Sequence, residues 1–234
     1  MAEARGWHVV DVLADDDALV VHRTLPGRGD VLWGVGSADA AARLLLDAGE
    51  RFAPGVARSA LPRGTTAAAR GLAARTGRAL PAHLRTDPVS AWDWFWTAEP
   101  PPYQTGEERV VGLVDEADRA AARALLDDAN PAAELDPAAT GTHWWGWADD
   151  TGALRAVAGA RCPGPGVPWE IGGVATHPAW RGRGLARAVT AAATRAALRE
   201  ADVVALGMYA DNDAARQVYG RLGYVVGQRF ESRR

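Results

Sequence analysis

The sequence between residues 170 and 186 reads Glu-Ile-Gly-Gly-Val-Ala-Thr-His-Pro-Ala-Trp-Arg-Gly-Arg-Gly-Leu-Ala. Its apolar first half predicts a buried strand from Trp169 to Thr176. A turn rich in arginine and glycine follows, and an alanine-rich helix is predicted from Gly184 to Glu200. Such a turn points several backbone N–H groups and the positive end of a helix at one spot, which favours phosphate oxygens. The stretch therefore predicts a strand–turn–helix unit with an anion site at its turn.

The charge around this turn is opposite in sign to that of the whole chain. Between Ile171 and Arg199 there are five arginines and no carboxylate, whereas the 234 residues together carry a formal charge of −3. That overall charge argues against nucleic acid as a partner, because nucleic-acid binding needs a strongly basic face. All 26 basic residues are arginine, so a Schiff-base lysine mechanism is excluded.

The rest of the composition limits the chemistry further. Cys162 is the only cysteine, which excludes an intrachain disulfide and favours a reducing, cytoplasmic location. The five histidines lack metal-ligand spacing, so no metal site is expected. No apolar run approaches the roughly 18 residues of a membrane span, and the N-terminus does not resemble a signal peptide. We therefore expect a cytoplasmic protein that binds neither a metal nor a membrane.

A proline-rich break at residues 99–102 divides the chain. Consecutive prolines favour extended backbone and resist helix formation, as linkers do. We predict an N-terminal α/β domain over residues 1–98, a linker over residues 99–108 and a second domain over residues 109–234.

The first domain has few sequence signals. A hairpin is predicted from residues 7–13 and 18–23, and helices are predicted over residues 38–47 and 66–75. Three indoles alternate with period two, which predicts one strand face that carries Trp92, Trp94 and Trp96. No residues in this half have the spacing of a chemical motif.

The second domain alternates strands with helices and is predicted to be a mixed α/β layer, with helices covering a sheet. Its predicted strands are residues 109–114, 143–148, 153–160, 169–176, 203–209 and 224–230, and its predicted helices are residues 116–128, 184–200 and 213–222.

Two segments of this domain carry residues at the spacing of a known family. The first is Arg181-Gly182-Arg183-Gly184-Leu185-Ala186, which fits Arg or Gln, two residues, Gly, one residue, then Gly or Ala. The second has the order Asn, Ala, Tyr, then Gly followed by an aromatic residue, at Asn212, Ala215, Tyr219, Gly223 and Tyr224. With both segments in this order, residues 109–230 resemble the GNAT acetyltransferase superfamily.

The resemblance implies acetyl-CoA as co-substrate and no metal. Val174, Ala175 and Thr176 would pair with the pantetheine arm, and the turn from Arg181 to Ala186 would bind the pyrophosphate through backbone N–H groups. Gly182 and Gly184 would let the backbone approach the phosphates closely. Further cofactor contacts are expected from Arg183, Arg187, Asn212 and Tyr219, and Asn212 is also suited to capping its helix.

Two residues are candidates for catalysis. Tyr219 would protonate the departing CoA thiolate, because a phenol with a reference pKa of about 10 holds its proton at neutral pH. The alternative is a core tyrosine whose hydroxyl is satisfied. Glu170 would be the base, since a carboxylate in an apolar strand could have a raised pKa; the alternative is a glutamate facing solvent. His177 is the rival base.

The function predicted from these residues is transfer of an acetyl group to a primary amine of a small molecule or peptide by direct attack. The alternative is a non-catalytic acyl-CoA-binding module with the same pocket. The aromatic group at residues 143–147 either lines the acceptor pocket or packs in the core. A dinucleotide-binding fold is rejected, because Arg187 replaces the third glycine and Pro-Ala-Trp separates strand from turn.

Two further points stay open at this level. Some members of the superfamily contain two copies of the fold, and residues 1–98 have about the length of a degenerate or partial copy without the cofactor motif. A homodimer is also left open.

Overall fold

Eleven strands and six helices make up the described part of the chain, which in this computed structural model comprises residues 8–25, 27, 29–56, 58–162, 164 and 166–233. The chain divides into two compact units. Unit 1 consists of Met1–Asp93, Tyr209–Asp211 and Gln228–Arg234, and unit 2 consists of Trp94–Met208 and Asn212–Gly227. The units differ from the predicted domain boundaries, since the division falls inside a strand and the end of the chain belongs to unit 1.

Unit 1 begins with a three-stranded antiparallel meander, continues through a helix to a strand parallel with the third, and then has two further helices. Its elements are β1 (His8–Ala14), β2 (Ala18–Leu25), β3 (Gly29–Gly36), α1 (Ala38–Ala48), β4 (Arg58–Pro62), α2 (Thr65–Thr76), α3 (Ala82–Arg85) and the first half of β5 (Ser90–Thr97). Its core contains Leu32, Leu45, Leu61 and Leu84.

Unit 2 starts with a strand and a helix, after which the same succession of elements recurs. Its elements are β6 (Val110–Leu113), α4 (Glu116–Ala129), β7 (Thr142–Ala148), β8 (Leu154–Arg161), β9 (Trp169–Thr176), α5 (Leu185–Ala197), most of β10 (Val204–Tyr209), α6 (Asp213–Arg221) and the start of β11 (Val225–Arg233). A capping box of Asp115 and Asp118 begins α4.

The order of strands makes the repetition explicit. In unit 1 the order is β1-β2-β3-β4-β11, and in unit 2 it is β7-β8-β9-β10-β5, with β6 beside β7. Each unit therefore has a meander, a crossover helix, a parallel fourth strand and a fifth strand that comes from the other half of the sequence. This topology supports the interpretation of the N-terminal half as a copy of the same fold.

Two apolar clusters position the central strand β9 of unit 2. On one side, Ile171 packs with Val189 of α5 and Leu206 of β10. On the other, Ala175 packs with Leu126 of α4 and with Trp144. Because both faces of β9 are buried, its sequence is a nearly continuous apolar run.

Most predicted elements are confirmed within a few residues, and the bounds of β9 agree at both ends. The hairpin of β1 and β2 is confirmed as an antiparallel pair, although Trp7 of the predicted strand lies outside the described residues. The alternation in β5 is also confirmed, since Asp93 and Phe95 between the three tryptophans are buried, as is Thr97 after them. The strands β3 and β4 and the short helix α3 were not predicted. Within the described residues, no helix is long and apolar enough to cross a membrane.

Candidate functional site

The parallel strands β9 and β10 part soon after they meet. Residues 169–171 pair with residues 204–206, and no pairing is found between the described residues 172–176 and 207–208. One edge of β9 is consequently open over its second half. An open strand edge offers unpaired N–H and C=O groups to any extended ligand that has matching groups.

A bulge in β9 lies at the start of this open edge. The register with β8 shifts between Val157 and Gly159, and Gly173 adopts a φ of +59°. A side chain at residue 173 would be strained by that φ and would also overlap the Trp144 ring. The bulge therefore depends on glycine at this position and on the indole packed against it.

The direction of the backbone groups along β9 follows from one hydrogen bond. The His177 N–H donates to the Arg155 carbonyl on the β8 side at 2.9 Å. The N–H and C=O groups of successive residues point to alternate edges of a strand, so those of Thr176 and Val174 point to the open edge of β9. Ala175 directs its own toward β8 and its side chain is buried, so this predicted cofactor residue is not on the open edge.

The turn after β9 ends in a group of unpartnered N–H donors. No acceptor is found, within the described residues, for the backbone N–H groups of residues 182–187. Gly182 and Gly184 have φ values of +79° and +81°, and Gly184 begins α5 without a side-chain cap. Consecutive donors at a helix N-terminus favour an anion, and the anion site at this turn stays a prediction. Among these residues the Leu185 side chain is buried, so only its backbone is available.

Arg181, the first residue of the motif, is a structural support. Its Nε donates to the Thr176 carbonyl and one Nη donates to the Ala129 carbonyl at the end of α4, both at 3.2 Å. Nearby, Asn130 Nδ2 donates to the Val174 carbonyl, also at 3.2 Å. The guanidinium of Arg181 therefore ties the turn to β9 and α4.

Two arginines, Arg183 of the turn and Arg155 of β8, lie against an aromatic ring. The guanidinium carbon of Arg183 is 4.5 Å from the centre of the Trp180 ring, and that of Arg155 is 5.3 Å from it. Trp147 packs against Trp180 with ring centres 5.6 Å apart. Arg187 folds back toward Gly184. The cation–π contact leaves the charge of Arg183 in place, whereas Arg155 is ion-paired with Asp149, with 2.6 Å between Nε and Oδ2.

Tyr219 of α6 lies in the core cluster that also contains Leu206 and Met208 of β10. It is 8% exposed, and burial raises the pKa of its phenol to about 12. Within the described residues no hydrogen-bond partner is found for its hydroxyl, whereas the neighbouring Tyr224 hydroxyl lies 2.7 Å from Thr194 Oγ1. The alternative of a core tyrosine with a satisfied hydroxyl thus describes Tyr224 and not Tyr219.

Asn212 caps α6, as one of its two predicted roles requires. Its Oδ1 accepts the Ala215 N–H at 3.0 Å. This bond fixes the start of the helix on which Tyr219 lies.

Glu170 lies in different surroundings from those that the sequence interpretation assumes. Its side chain is 42% exposed, and Oε2 accepts two hydrogen bonds from Arg161, at 2.6 and 2.8 Å. The residue faces neither an apolar pocket nor the open edge, because it precedes the bulge and still pairs with Ala205. Glu170 is therefore a partly exposed, ion-paired carboxylate rather than one in apolar surroundings.

His177 and the aromatic group occupy supporting positions. His177 Nδ1 accepts the Ala179 N–H at 3.2 Å, and the residue lines a cavity of about 640 Å³ beside α4. Trp144 and Trp147 are buried, which is the core-packing alternative for the aromatic group. Among the described residues, no three His, Cys, Asp or Glu side chains lie together as a metal site would require.

Comparison with known proteins identifies the family. A sequence model described as the acetyltransferase (GNAT) family matches residues 89–224, which is more than half of the chain. The chain belongs to this family. The resemblance seen in the two motifs is thereby confirmed. No curated protein matches the sequence.

Solved structures show the same fold over nearly the whole chain. A putative GNAT acetyltransferase from Novosphingobium aromaticivorans is 23% identical, with a TM-score of 0.56 over 95% of this chain and 89% of its own. A GCN5-related N-acetyltransferase from Kribbella flavida is 18% identical, with a TM-score of 0.55 over 95% and 88%. One from Sphaerobacter thermophilus is also 18% identical, with a TM-score of 0.55 over 92% and 79%. At these identities the likeness concerns the fold alone.

Sequence reasoning missed several residues of this GNAT site. Asn130 is outside both motifs, and only its place before Pro131 at a helix end distinguishes it in the sequence. Trp180 was treated as part of an insertion, although its spacing from Arg183 allows the observed stacking. The structural use of Arg181 has no sequence signal, since its partners are backbone carbonyls.

Proposed function

We propose that this chain is an N-acetyltransferase that moves the acetyl group of acetyl-CoA to a primary amine of a small molecule or peptide. The observation that carries the proposal is the continuity of two features of unit 2. The open edge of β9 leads directly into the unpartnered N–H groups of residues 182–187. An extended arm with amides and a pyrophosphate at its end matches that sequence of groups.

Each part of the co-substrate has a partner in this proposal. The N–H groups of Val174 and Thr176 donate hydrogen bonds to carbonyl oxygens of the pantetheine arm and of the thioester. The N–H groups from Gly182 to Arg187 donate hydrogen bonds to the pyrophosphate oxygens, and the guanidinium groups of Arg183 and Arg187 add positive charge. Asn212 contributes by fixing the start of α6.

The chemical step is direct attack. The amine nitrogen bonds to the thioester carbon, the C–S bond breaks, and the CoA thiolate takes a proton from Tyr219. The tyrosine suits this role because its hydroxyl has no internal partner and its raised pKa keeps it protonated throughout the neutral range. No acyl-enzyme is needed, since the lone cysteine, Cys162, is exposed and lies outside the motifs.

The proton that the amine loses needs an acceptor. Glu170 serves as base in this proposal only after its ion pair with Arg161 opens. His177, the rival base, takes the proton only at Nδ1 and only after its bond with the Ala179 N–H opens, because a neutral imidazole that accepts at Nδ1 carries its own proton on Nε2. The reaction otherwise draws on the fraction of the amine that is already deprotonated, and its rate then rises with pH. We place it in the cytoplasm, without metal or nucleic acid, and leave a homodimer open.

The experiment is release of free CoA thiol from acetyl-CoA, measured against a panel of primary amines, together with acetyl-CoA binding by isothermal titration calorimetry. Binding with amine-dependent thiol release is the expected result. Absence of binding would overturn the proposal.

The ion pair of Glu170 favours a second candidate, an acyl-CoA-binding module without turnover. In that case acetyl-CoA binds, no amine increases thiol release, and Glu170→Gln leaves binding unchanged. Turnover with any amine in the panel excludes this candidate.

A further inference from the structure

The open edge of β9 offers donors and acceptors unequally. Both carbonyls that face it are already occupied, that of Thr176 by Arg181 Nε and that of Val174 by Asn130 Nδ2. The N–H groups of the same two residues have no partner in the described part of unit 2. Carbonyl oxygens can accept a second bond, but the first donor already satisfies part of their capacity. The edge is therefore biased toward ligand groups that accept hydrogen bonds.

The Asn130 side chain is held in place for this bond. Asn130 caps α4, with its backbone N–H donating to Leu126 at 2.8 Å and its carbonyl accepting from Ala133 at 3.0 Å. Because the backbone N–H and C=O of Asn130 are both hydrogen-bonded, the residue has little freedom to move away from β9. Its amide is half-buried at the edge.

The position of Val174 along the open edge of β9 indicates which part of a bound ligand lies beside it. The N–H groups that bind phosphate follow the C-terminal end of β9, so a ligand arm enters past Thr176 and reaches Val174 afterwards. Val174 is adjacent to the bulge at Gly173, beyond which the strands close at Ile171 and Leu206. The end of the ligand that carries the acyl group therefore lies nearer to Val174 than to Thr176.

We propose that Asn130 is a positioning residue of the acyl-CoA groove, which holds the Val174 backbone so that the Val174 N–H donates a hydrogen bond to the thioester carbonyl. The inference rests on the proposed function. It assigns to Asn130 no contact with the reacting atoms. Its effect passes through the Val174 backbone.

The test compares two ligands on matched variants by isothermal titration calorimetry. Acetyl-CoA has the thioester carbonyl, and S-ethyl-CoA has the same arm without it. Asn130→Ala removes the donated bond, and Asn130→Leu keeps the approximate volume, adds no charge and cannot donate to a carbonyl. Gln104→Ala is the control, since it removes a hydrogen bond from a side-chain amide to the Pro102 carbonyl elsewhere in unit 2. Circular dichroism and thermal unfolding establish that each variant is folded.

In both Asn130 variants we expect acetyl-CoA to bind about three- to tenfold more weakly, the net value of one hydrogen bond, while S-ethyl-CoA binding is unchanged. The wild-type preference for acetyl-CoA over S-ethyl-CoA should thus shrink, and Gln104→Ala should keep it. Equal weakening of both ligands would mean a purely structural role and overturn the inference, as would no change in either. Wild-type protein that binds neither ligand would instead overturn the proposed function, and with it this inference. Should Asn130→Ala not fold, Asn130→Ser serves in its place.

Discussion

The turn between β3 and α1 in unit 1 and the turn between β9 and α5 in unit 2 have the same place in the topology but different construction. In unit 1 a single residue, Ser37, separates strand from helix, and its Oγ accepts the Ala40 N–H. In unit 2 residues 177–184 lie between them, and the helix starts at Gly184 without a side-chain cap. In unit 1 a side chain caps one of the first N–H groups of the helix, whereas in unit 2 the first N–H groups of the helix have no partner within the described residues.

The strand edges beside the two turns differ in the same way. The Gly36 N–H at the end of β3 donates to Gln228 Oε1 at 2.9 Å, and Gln228 Nε2 donates to the Gly36 carbonyl at 3.5 Å. A side-chain amide thus fills the edge in unit 1. At the end of β9 the Thr176 N–H has no such partner within the described residues. The comparison teaches that the fold alone does not make the site, and that strand and helix ends left unsatisfied do.

The second helix of each unit extends the contrast. Tyr219 lies seven positions after the cap of α6, and the residue seven positions after Gly64, which begins α2, is Gly71. At these corresponding places in the topology, unit 1 therefore has neither the donor-rich turn nor the phenol. We expect unit 1 to bind no acyl-CoA.

The largest expected effect comes from placing a negative charge among the donors of the turn. Gly182→Asp puts a carboxylate where the pyrophosphate binds, and like charges about 4 Å apart repel by about 4 kcal/mol at a protein surface. Acetyl-CoA binding should weaken at least about 100-fold by calorimetry. Aspartate tolerates a positive φ better than most residues, so the fold should persist.

Two variants separate charge from backbone strain. Gly182→Asn adds a side chain of the same size without the charge and should weaken binding much less. Gly77→Asp introduces the same residue in unit 1, at a φ of +69° and with open space around it, as at Gly182. It should leave binding unchanged. A similar loss in all three variants would break the comparison, because it would trace the effect to stability.

Next in size is the effect of removing one of two neighbouring phenols. Tyr219→Phe should lower kcat about 100-fold, the low end of a general acid's contribution, with little change in acetyl-CoA affinity. Tyr224→Phe should leave kcat unchanged and lower the unfolding free energy by about 1 kcal/mol, since it removes the bond to Thr194. Steady-state kinetics and chemical denaturation measure the two effects. Equal kcat values for both variants would remove Tyr219 from the mechanism.

The pH profile supplies an independent measure of Tyr219. A group whose pKa is raised to about 12 stays protonated across the range in which an ordinary tyrosine begins to ionise near pH 10. The wild-type rate should therefore rise as the amine deprotonates and show no decline between pH 8 and pH 10. A decline with an apparent pKa near 9, at constant fold, would contradict the assignment.

Local patterns allowed much of unit 2 to be predicted. The bounds of β9 and the start of α6 follow from a continuous apolar run and from a cap residue at Asn212, both of which are properties of neighbouring residues. The donor-rich turn likewise follows from its glycines. These features need no knowledge of what lies elsewhere in the chain.

What could not be predicted depends on distant residues. Nothing in the sequence near Phe230 indicates that β11 pairs with β4, which precedes it by about 170 residues. The apolar run around Glu170 suggested an apolar pocket, but its partner Arg161 is supplied by the neighbouring strand. The roles of Asn130 and Arg181 depend on backbone carbonyls, which every residue has. Sequence patterns therefore predicted elements and missed the contacts that tie them together.

The smallest effect is expected for Gln228, whose replacement tests whether its amide at the strand edge is the reason why unit 1 should bind no acyl-CoA. Gln228→Ala removes the amide that occupies the Gly36 backbone, and the lost hydrogen bonds should lower the unfolding free energy by about 1 kcal/mol. Calorimetry should still give one acetyl-CoA per chain, as for the wild type, because Ser37 continues to cap α1 and no turn supplies phosphate donors. A second binding event in the variant alone would show that Gln228 by itself closes the edge. Two binding events in the wild type would abolish the contrast between the units. Gln104→Ala, which removes a side-chain amide in unit 2, is the matched control for stability.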